Sequence, residues 1–227
     1  MKKVNILGLG PSWYQCPEEL AEGEETWGAN TMYRNRDVSR IYIAHDIRND
    51  ILLFDKNFVD NANAVGVPVY TSGAYPIFTK NEVYPIDKIV KEFNALFFLN
   101  VICYMIAHAV YEGFEEISLY GCDMRTDTGH EYRVNEKGAV EFWVGAACGR
   151  GIQVNIPEES YLCKRVMTGN FYGYVERKGP DGLMYLIPDN KYADYKNFRL
   201  TPIDKDGNDV MALSVTTELK RSYAVVE

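Results

Sequence analysis

Three kinds of side chain in this sequence have the types and spacing that chemistry needs. Asp46 and Asp123 each follow an apolar run, Arg40-Ile-Tyr-Ile-Ala-His45 and Glu116-Ile-Ser-Leu-Tyr-Gly-Cys122. Carboxylates so placed can hold Mg²⁺, which takes one or two carboxylates plus waters and phosphate oxygens, or grip sugar hydroxyls. The same aspartates also suit the caps of following turns. His130 sits in Thr126-Asp-Thr-Gly-His-Glu131. A histidine with a reference pKa of about 6.5 is a candidate general base. The third signal is the loop Gly8-Leu-Gly-Pro-Ser12. Its glycines allow a backbone to approach an anion, and its N–H groups with the Ser12 hydroxyl can donate to a phosphate or ribose. The dinucleotide pattern G-x-G-x-x-G is incomplete, since Trp13 stands at the third glycine. The loop therefore reads as one for a mononucleotide or nucleotide-sugar, or as a plain tight turn.

The elements that must position these groups alternate. Lys3 to Leu7 reads as a first strand, Thr26 to Ala29 as a second, Arg40 to His45 as a third and Gly66 to Tyr70 as a fourth. Asp50 to Ala64 reads as a helix, as does Ile86 to Phe93 with Pro85 at its first position. The strongest helix runs from Leu99 to Glu112, with Asn100 as N-cap and Gly113 at its end. It is apolar nearly all round, which places it against a sheet and makes His108 a core histidine. Glu116 to Tyr120 is the next strand, Val140 to Cys148 a helix and Gly151 to Ile156 a last parallel strand. Strands alternating with helices predict an α/β fold: a Rossmann-like, mostly parallel sheet flanked by helices. Beyond Pro157 the pattern becomes antiparallel. Phe171 to Val175 with Leu183 to Ile187, and Phe198 to Ile203 with Val210 to Val215, read as two β-hairpins. The expected organisation is a nucleotide-binding domain over 1–167 and a small antiparallel β C-terminal appendage over 168–227, an arm suited to a homo-oligomer.

Ligands of open α/β sheets lie beyond the carboxyl ends of the strands. The residues delivered there are Gly8, Gly10 and Ser12, then Asn30, Thr31 and Tyr33, then His45 and Asp46, then Gly121, Asp123, Arg125 and His130. Asn100, heading the buried helix, faces the same rim, and the helix start adds a field that favours an anion. Asn30 offers a donor and an acceptor to a base or sugar edge.

Composition sets outer bounds. The 227 residues carry a net charge of −8, which argues against non-specific nucleic-acid or anionic-lipid binding. Five scattered cysteines form no C-x-x-C pair and suit buried thiols in a reducing compartment. Met-Lys-Lys is not followed by a signal-peptide core, and Ala95 to Val110 is too short and too polar to span a bilayer. The expectation is a soluble, cytoplasmic protein without a membrane partner.

Gly8-Leu-Gly-Pro-Ser12, Ala44-His-Asp46, Leu119-Tyr-Gly-Cys-Asp-Met124 and Thr128-Gly-His130 resemble a Rossmann-like family. That family includes archaeal hydroxymethylpterin diphosphokinases and many bacterial and phage proteins. The small bacterial sialyltransferases that use a CMP-sugar share the G-x-G-P-S loop and the helix–strand–G-x-D block. The resemblance covers roughly residues 3–156. It implies that Ser12 and Asn30 contact the nucleotide and that a histidine, His130 by position, acts as base. Leu9 stands where the sialyltransferases have asparagine, and their paired phosphate-binding tyrosines have no clear counterpart. Glu141-Phe-Trp-Val-Gly145 and Ile156-Pro-Glu-Glu-Ser160 look like the phage-associated branch.

The leading expectation is a nucleotide-dependent transferase of the glycosyltransferase kind. It would bind a nucleotide through Gly8, Gly10, Ser12, Asn30, Thr31, Asn100 and Gly121, with His130 or Asp123 removing the acceptor's proton. No tightly bound cofactor is expected. The alternatives are Mg²⁺-dependent pyrophosphoryl transfer from ATP, with Asp46 and Asp123 on the metal, and a non-catalytic nucleotide-binding or interaction protein of phage type.

Overall fold

A computed structural model describes residues 1–45, 47, 57–125 and 131–163 (131–133 as backbone), together with the backbone of 174–178, 184–188 and 213–215. The chain divides into two compact units, Met1–Cys163 and Lys164–Glu227.

The first unit is built on a seven-stranded sheet in which every pairing is parallel. Its strands are β1 (Lys3–Leu7), β2 (Glu24–Ala29), β3 (Arg40–Ile43), β4 (Val69–Thr71), β5 (Asn81–Val83), β6 (Glu116–Tyr120) and β7 (Gln153–Asn155). The spatial order is β5-β4-β3-β2-β1-β6-β7. From β1 the chain winds outward to β5, then returns to β1's other side as β6. The sheet thus reverses direction between β1 and β6.

Period-two alternation feeds two apolar layers. Val4, Ile6, Trp27, Tyr42, Ile117 and Leu119 join one core; Leu7, Ile41 and Ile43 join the other. The first core packs against α2 (Ile86–Phe93), α3 (Val101–Tyr111) and α4 (Glu131–Gly149), and the second against α1 (Phe58–Val65). α3 is the buried helix that the sequence predicts: the Asn100 side chain accepts from the Cys103 N–H, and Gly113 follows at φ 74°.

Three elements differ from expectation. α4 begins at Glu131 rather than Val140. Its first two turns are mostly polar and contain Gly138; residues 134–138 are exposed or half-buried, and Ala139 and Val140 are buried. β5 carries no apolar signal because it is a short, partly exposed edge strand. α1 starts at Phe58, and the expected residues 50–56 lie outside those described.

In the second unit, β8 (Tyr174–Lys178), β9 (Met184–Pro188) and β10 (Leu213–Val215) form an antiparallel sheet in the order β10-β9-β8. The first hairpin pairs Tyr174 with Pro188, so its first strand lies three residues later than predicted. Of the second expected hairpin, Leu213–Val215 pairs with β9, and 198–203 lies outside the described residues.

Candidate functional site

An open cleft of about 440 Å³ lies beyond the carboxyl ends of β2, β1 and β6. That is the reversal point of the sheet, where adjacent loops diverge and leave room for a ligand. Its size falls within the range of small-molecule sites. The first loop contributes Gly8 to Gly10, and the end of β2 contributes Asn30. The turn after β6 supplies Gly121, Asp123, Met124 and Arg125. Asn100, Val101 and Ile102 come from the start of α3, and Glu136 comes from α4.

The loops after β1 and β6 are stitched together. The Gly8 N–H donates to the Tyr120 carbonyl at 2.8 Å and the Gly10 N–H to the Gly121 carbonyl at 2.7 Å. The Gly121 N–H donates to Oγ of Ser12 at 2.8 Å, and the Ser12 N–H donates to Oδ2 of Asp123 at 3.0 Å. Glycine is required at the joint. A Cβ on Gly8 would sit 2.3 Å from the Gly121 carbonyl oxygen, and one on Gly121, at φ 64°, would sit 2.2 Å from that of Gly8. The glycines of the first loop let two backbones approach each other, and two of its N–H groups are engaged in doing so.

This sorts the sequence candidates. Gly8, Gly10, Asn30, Asn100, Gly121 and Asp123 are brought together around the cleft. Ser12 is buried behind it, with its hydroxyl and N–H both bonded to the β6 turn. Thr31 precedes a 3₁₀ turn and is not among the lining residues. Asp46 and His130 lie outside the described residues. Met124 and Glu136 line the cleft without having been singled out from sequence. Glu136 was hidden by the polar, glycine-containing start of α4.

Two buried acceptors in the cleft have no hydrogen-bond partner among the described residues: Oδ1 of Asn30 and Oδ1 of Asp123. An unsatisfied buried polar group costs about 1–3 kcal/mol, so a pair of them in one cleft calls for explanation. Asn30 sits on constrained backbone, and Asp123 directly precedes such a residue. Asn30 is held at φ 53° with its N–H donating to the Tyr42 carbonyl at 2.8 Å, and Met124, next to Asp123, is at φ 45°. Asparagine tolerates this region; methionine does so rarely, with strain of order 1–3 kcal/mol. Nearby, Asn100 caps α3 through Oδ1, and its Nδ2 lies 3.8 Å from Sδ of Met124. The N–H groups of Val101 and Ile102 belong to the first turn of α3, where no intrahelical acceptor exists, so the positive end of the helix opens on the cleft.

The arrangement can therefore receive an anion at the start of α3 and hydrogen-bond donors at Asn30 and Asp123. Among the described lining residues the carboxylates are Asp123 and Glu136, and Asn30 adds an amide oxygen. Among the described residues no group of three or more His, Cys, Asp or Glu side chains could hold a metal.

No protein-family model matches this chain, and no curated protein does. Among solved structures, the sialyltransferase CstII from Campylobacter jejuni in complex with the substrate analogue cytidine-5′-monophosphate is 22% identical. The match covers 75% of this chain and 84% of that one, with a TM-score of 0.45. The same enzyme in complex with CMP-3FNeuAc is 21% identical over 72% of this chain and 81% of that one, also at 0.45. Among the described residues, no helix is long and apolar enough to cross a membrane.

Proposed function

We propose that this chain is a nucleotide-dependent transferase of the glycosyltransferase kind, taking a nucleotide-sugar as donor. One observation carries the reading. Two buried, unpartnered side-chain acceptors and the start of a buried helix share one nucleotide-sized cleft at the sheet's reversal point. A phosphate alone would satisfy the helix start and leave Asn30 and Asp123 unpaired. A sugar alone would do the reverse. A nucleotide-sugar carries an anion, hydroxyls and a base edge in one ligand.

The chemistry needed from the protein is positional. The glycosidic carbon–oxygen bond breaks with its electron pair leaving on the phosphate oxygen. The acceptor's oxygen bonds to that carbon, and its proton passes to a base. The first turn of α3 and the Arg125 side chain place positive potential where the leaving phosphate gains charge. His130 is our assignment for the base, from residue type and its place in the sequence. We assign self-association to the C-terminal unit, to be read from sedimentation of the full chain.

Thermal unfolding of the full chain with CMP, UDP, GDP, ATP and their sugar conjugates, each with Mg²⁺ and with chelator, tests the proposal. A ligand at 100 times its Kd adds about 2.7 kcal/mol to a folded state that alone binds it. The expected result is stabilisation by one nucleotide and its sugar conjugate, undiminished by chelator. Stabilisation by ATP alone that vanishes with chelator would transfer the site to pyrophosphoryl chemistry. If no nucleotide shifts the transition, the reading fails.

A further inference from the structure

Of the two unpartnered acceptors in the cleft, one is a neutral amide and the other, Asp123, a carboxylate, and that difference limits what each can meet. Asp123 is only 4% exposed. Its Oδ2 accepts the Ser12 N–H, its carbonyl accepts the Tyr161 N–H at 2.8 Å, and Gly10 is packed against Oδ2. The first loop fixes the carboxylate through Oδ2, the Tyr161 N–H holds the main chain beneath it, and Oδ1 is left over. A phosphate oxygen brought to Oδ1 would set two like charges together in a buried place. The phosphate belongs at the start of α3, whose cap Asn100 meets Met124, the residue after Asp123. Asn30 lies at the end of β2, two strands away from the end of β6, which is roughly 10 Å at the usual strand spacing. Asn30 and Asp123 therefore approach the cleft from opposite sides of β1. What fits Oδ1 is a neutral donor, and a hydroxyl of the sugar joined to the phosphate supplies one.

We infer that Asp123 accepts a hydrogen bond from one ribose hydroxyl of the bound nucleotide, so that the cleft selects ribonucleotides over their deoxy forms. The inference rests on the nucleotide reading of the cleft and names which part of the ligand the buried carboxylate holds. It makes Asp123 a specificity residue of the donor side. The selectivity comes mainly from the analogue that fails. Without the hydroxyl, Oδ1 stays buried and unpaired, and sites built around a hydroxyl reject its absence strongly.

The test is equilibrium binding of cytidine, uridine, guanosine and adenosine monophosphates to the full chain, each against its 2′-deoxy and 3′-deoxy forms, in chelator and again with Mg²⁺. For whichever base binds, removal of one of the two hydroxyls is expected to weaken binding by about tenfold or more, while removal of the other changes it little. In Asp123→Asn the amide oxygen must face the Ser12 N–H, which turns the NH₂ toward the ligand. The ribo-to-deoxy ratio there is expected to fall to within about threefold. Wild-type ratios near one for both deoxy forms would overturn the inference and leave the nucleotide reading standing. Such ratios are what a base edge or the transferred sugar on Oδ1 would give. A ratio that persists in Asp123→Asn, or binding that appears only with Mg²⁺, would also overturn it. Absence of binding by every nucleotide would remove both readings together. The wild-type comparison stands even if the variant does not fold.

Discussion

Gly10 and Asp123 share a space that admits no side chain at position 10. A Cβ there would lie 2.3 Å from Oδ2 of Asp123 and 2.7 Å from the Gly121 carbonyl oxygen. The glycine-proline-serine loop and the glycine-x-aspartate turn are thus two halves of one joint, and the cleft is the joint's open side. Gly10→Ala must push Asp123 away from Ser12 or part the two loops. We expect a loss of about 1–3 kcal/mol in urea unfolding together with loss of nucleotide-induced stabilisation. Gly145→Ala is the control. It sits in α4 with open space around its missing Cβ, and there alanine should stabilise by about 0.5–1 kcal/mol.

Ser12 separates a structural from a ligand-contacting reading of the first loop. Its hydroxyl is the partner of the Gly121 N–H at 2.8 Å, in a buried setting. Ser12→Ala leaves that N–H unpaired and should destabilise the fold by about 1–3 kcal/mol. Nucleotide affinity, measured by titration well below the unfolding transition, should change less than about threefold, since an effect confined to folding leaves binding alone. The opposite pattern, unchanged stability with affinity reduced tenfold, would return Ser12 to the ligand.

How far these positions could be read from sequence follows from what each element does. β1 and β6 are legible to the residue because they are apolar, central and bounded by glycine. α3 is legible because a capping asparagine and a terminal glycine frame an apolar run. The placement of Gly8, Gly10, Asn30, Gly121 and Asp123 around one cleft follows from strand ends, and that of Asn100 from the start of the buried helix. What the glycines are for was not legible. A glycine that lets backbone approach phosphate and one that lets backbone approach backbone look alike in a sequence, and only the partner loop tells them apart. The unpaired oxygens of Asn30 and Asp123 are likewise a property of packing. Glu136 escaped notice because a solvated helical turn has no apolar period to announce it.

Asn100 performs two tasks that one substitution can part. Its Oδ1 caps α3 by accepting from Cys103 N–H, and it borders the cleft where the helix is positive. Asn100→Asp keeps an acceptor for the cap and adds a negative charge that the helix start favours, so stability should hold or rise by about 0.3–1 kcal/mol. That same charge occupies the potential offered to a phosphate. Nucleotide affinity should fall by about tenfold, and the loss should shrink at high salt. Asn100→Ser, a neutral cap, should retain binding. Equal affinity for all three chains would show that the anion does not sit at this helix start.

At the opposite end of the sheet a second network sets an acid limit on stability. Arg40 Nη1 donates to Oε1 of Glu112 at 2.7 Å, and Arg40 Nε donates to Oε2 of Glu25 at 2.9 Å. Nε2 of His108 lies 3.1 Å from the same Glu112 oxygen, while its Nδ1 pairs with the Tyr42 hydroxyl at 2.8 Å. Both ring nitrogens of this core histidine are therefore partnered. Burial pushes the Glu112 carboxyl upward, but the hydrogen bonds and charges of His108 and Arg40 outweigh it and hold the group down, from an ordinary 4.5 to about 2. A carboxylate more acidic in the folded than in the unfolded chain binds fewer protons when folded. Its contribution is complete above pH 4.5 and drains away as pH falls toward 2. Urea midpoints of the wild type should decline across that window. In Glu112→Gln they should start lower at pH 7, because Arg40 and His108 lose a charged partner, and should decline less steeply between pH 4.5 and 2. Nucleotide affinity at pH 7 should be unaltered, since Glu112 follows the far end of α3 from the cleft. A wild-type curve parallel to that of Glu112→Gln through the acid range would show that another group sets the acid limit.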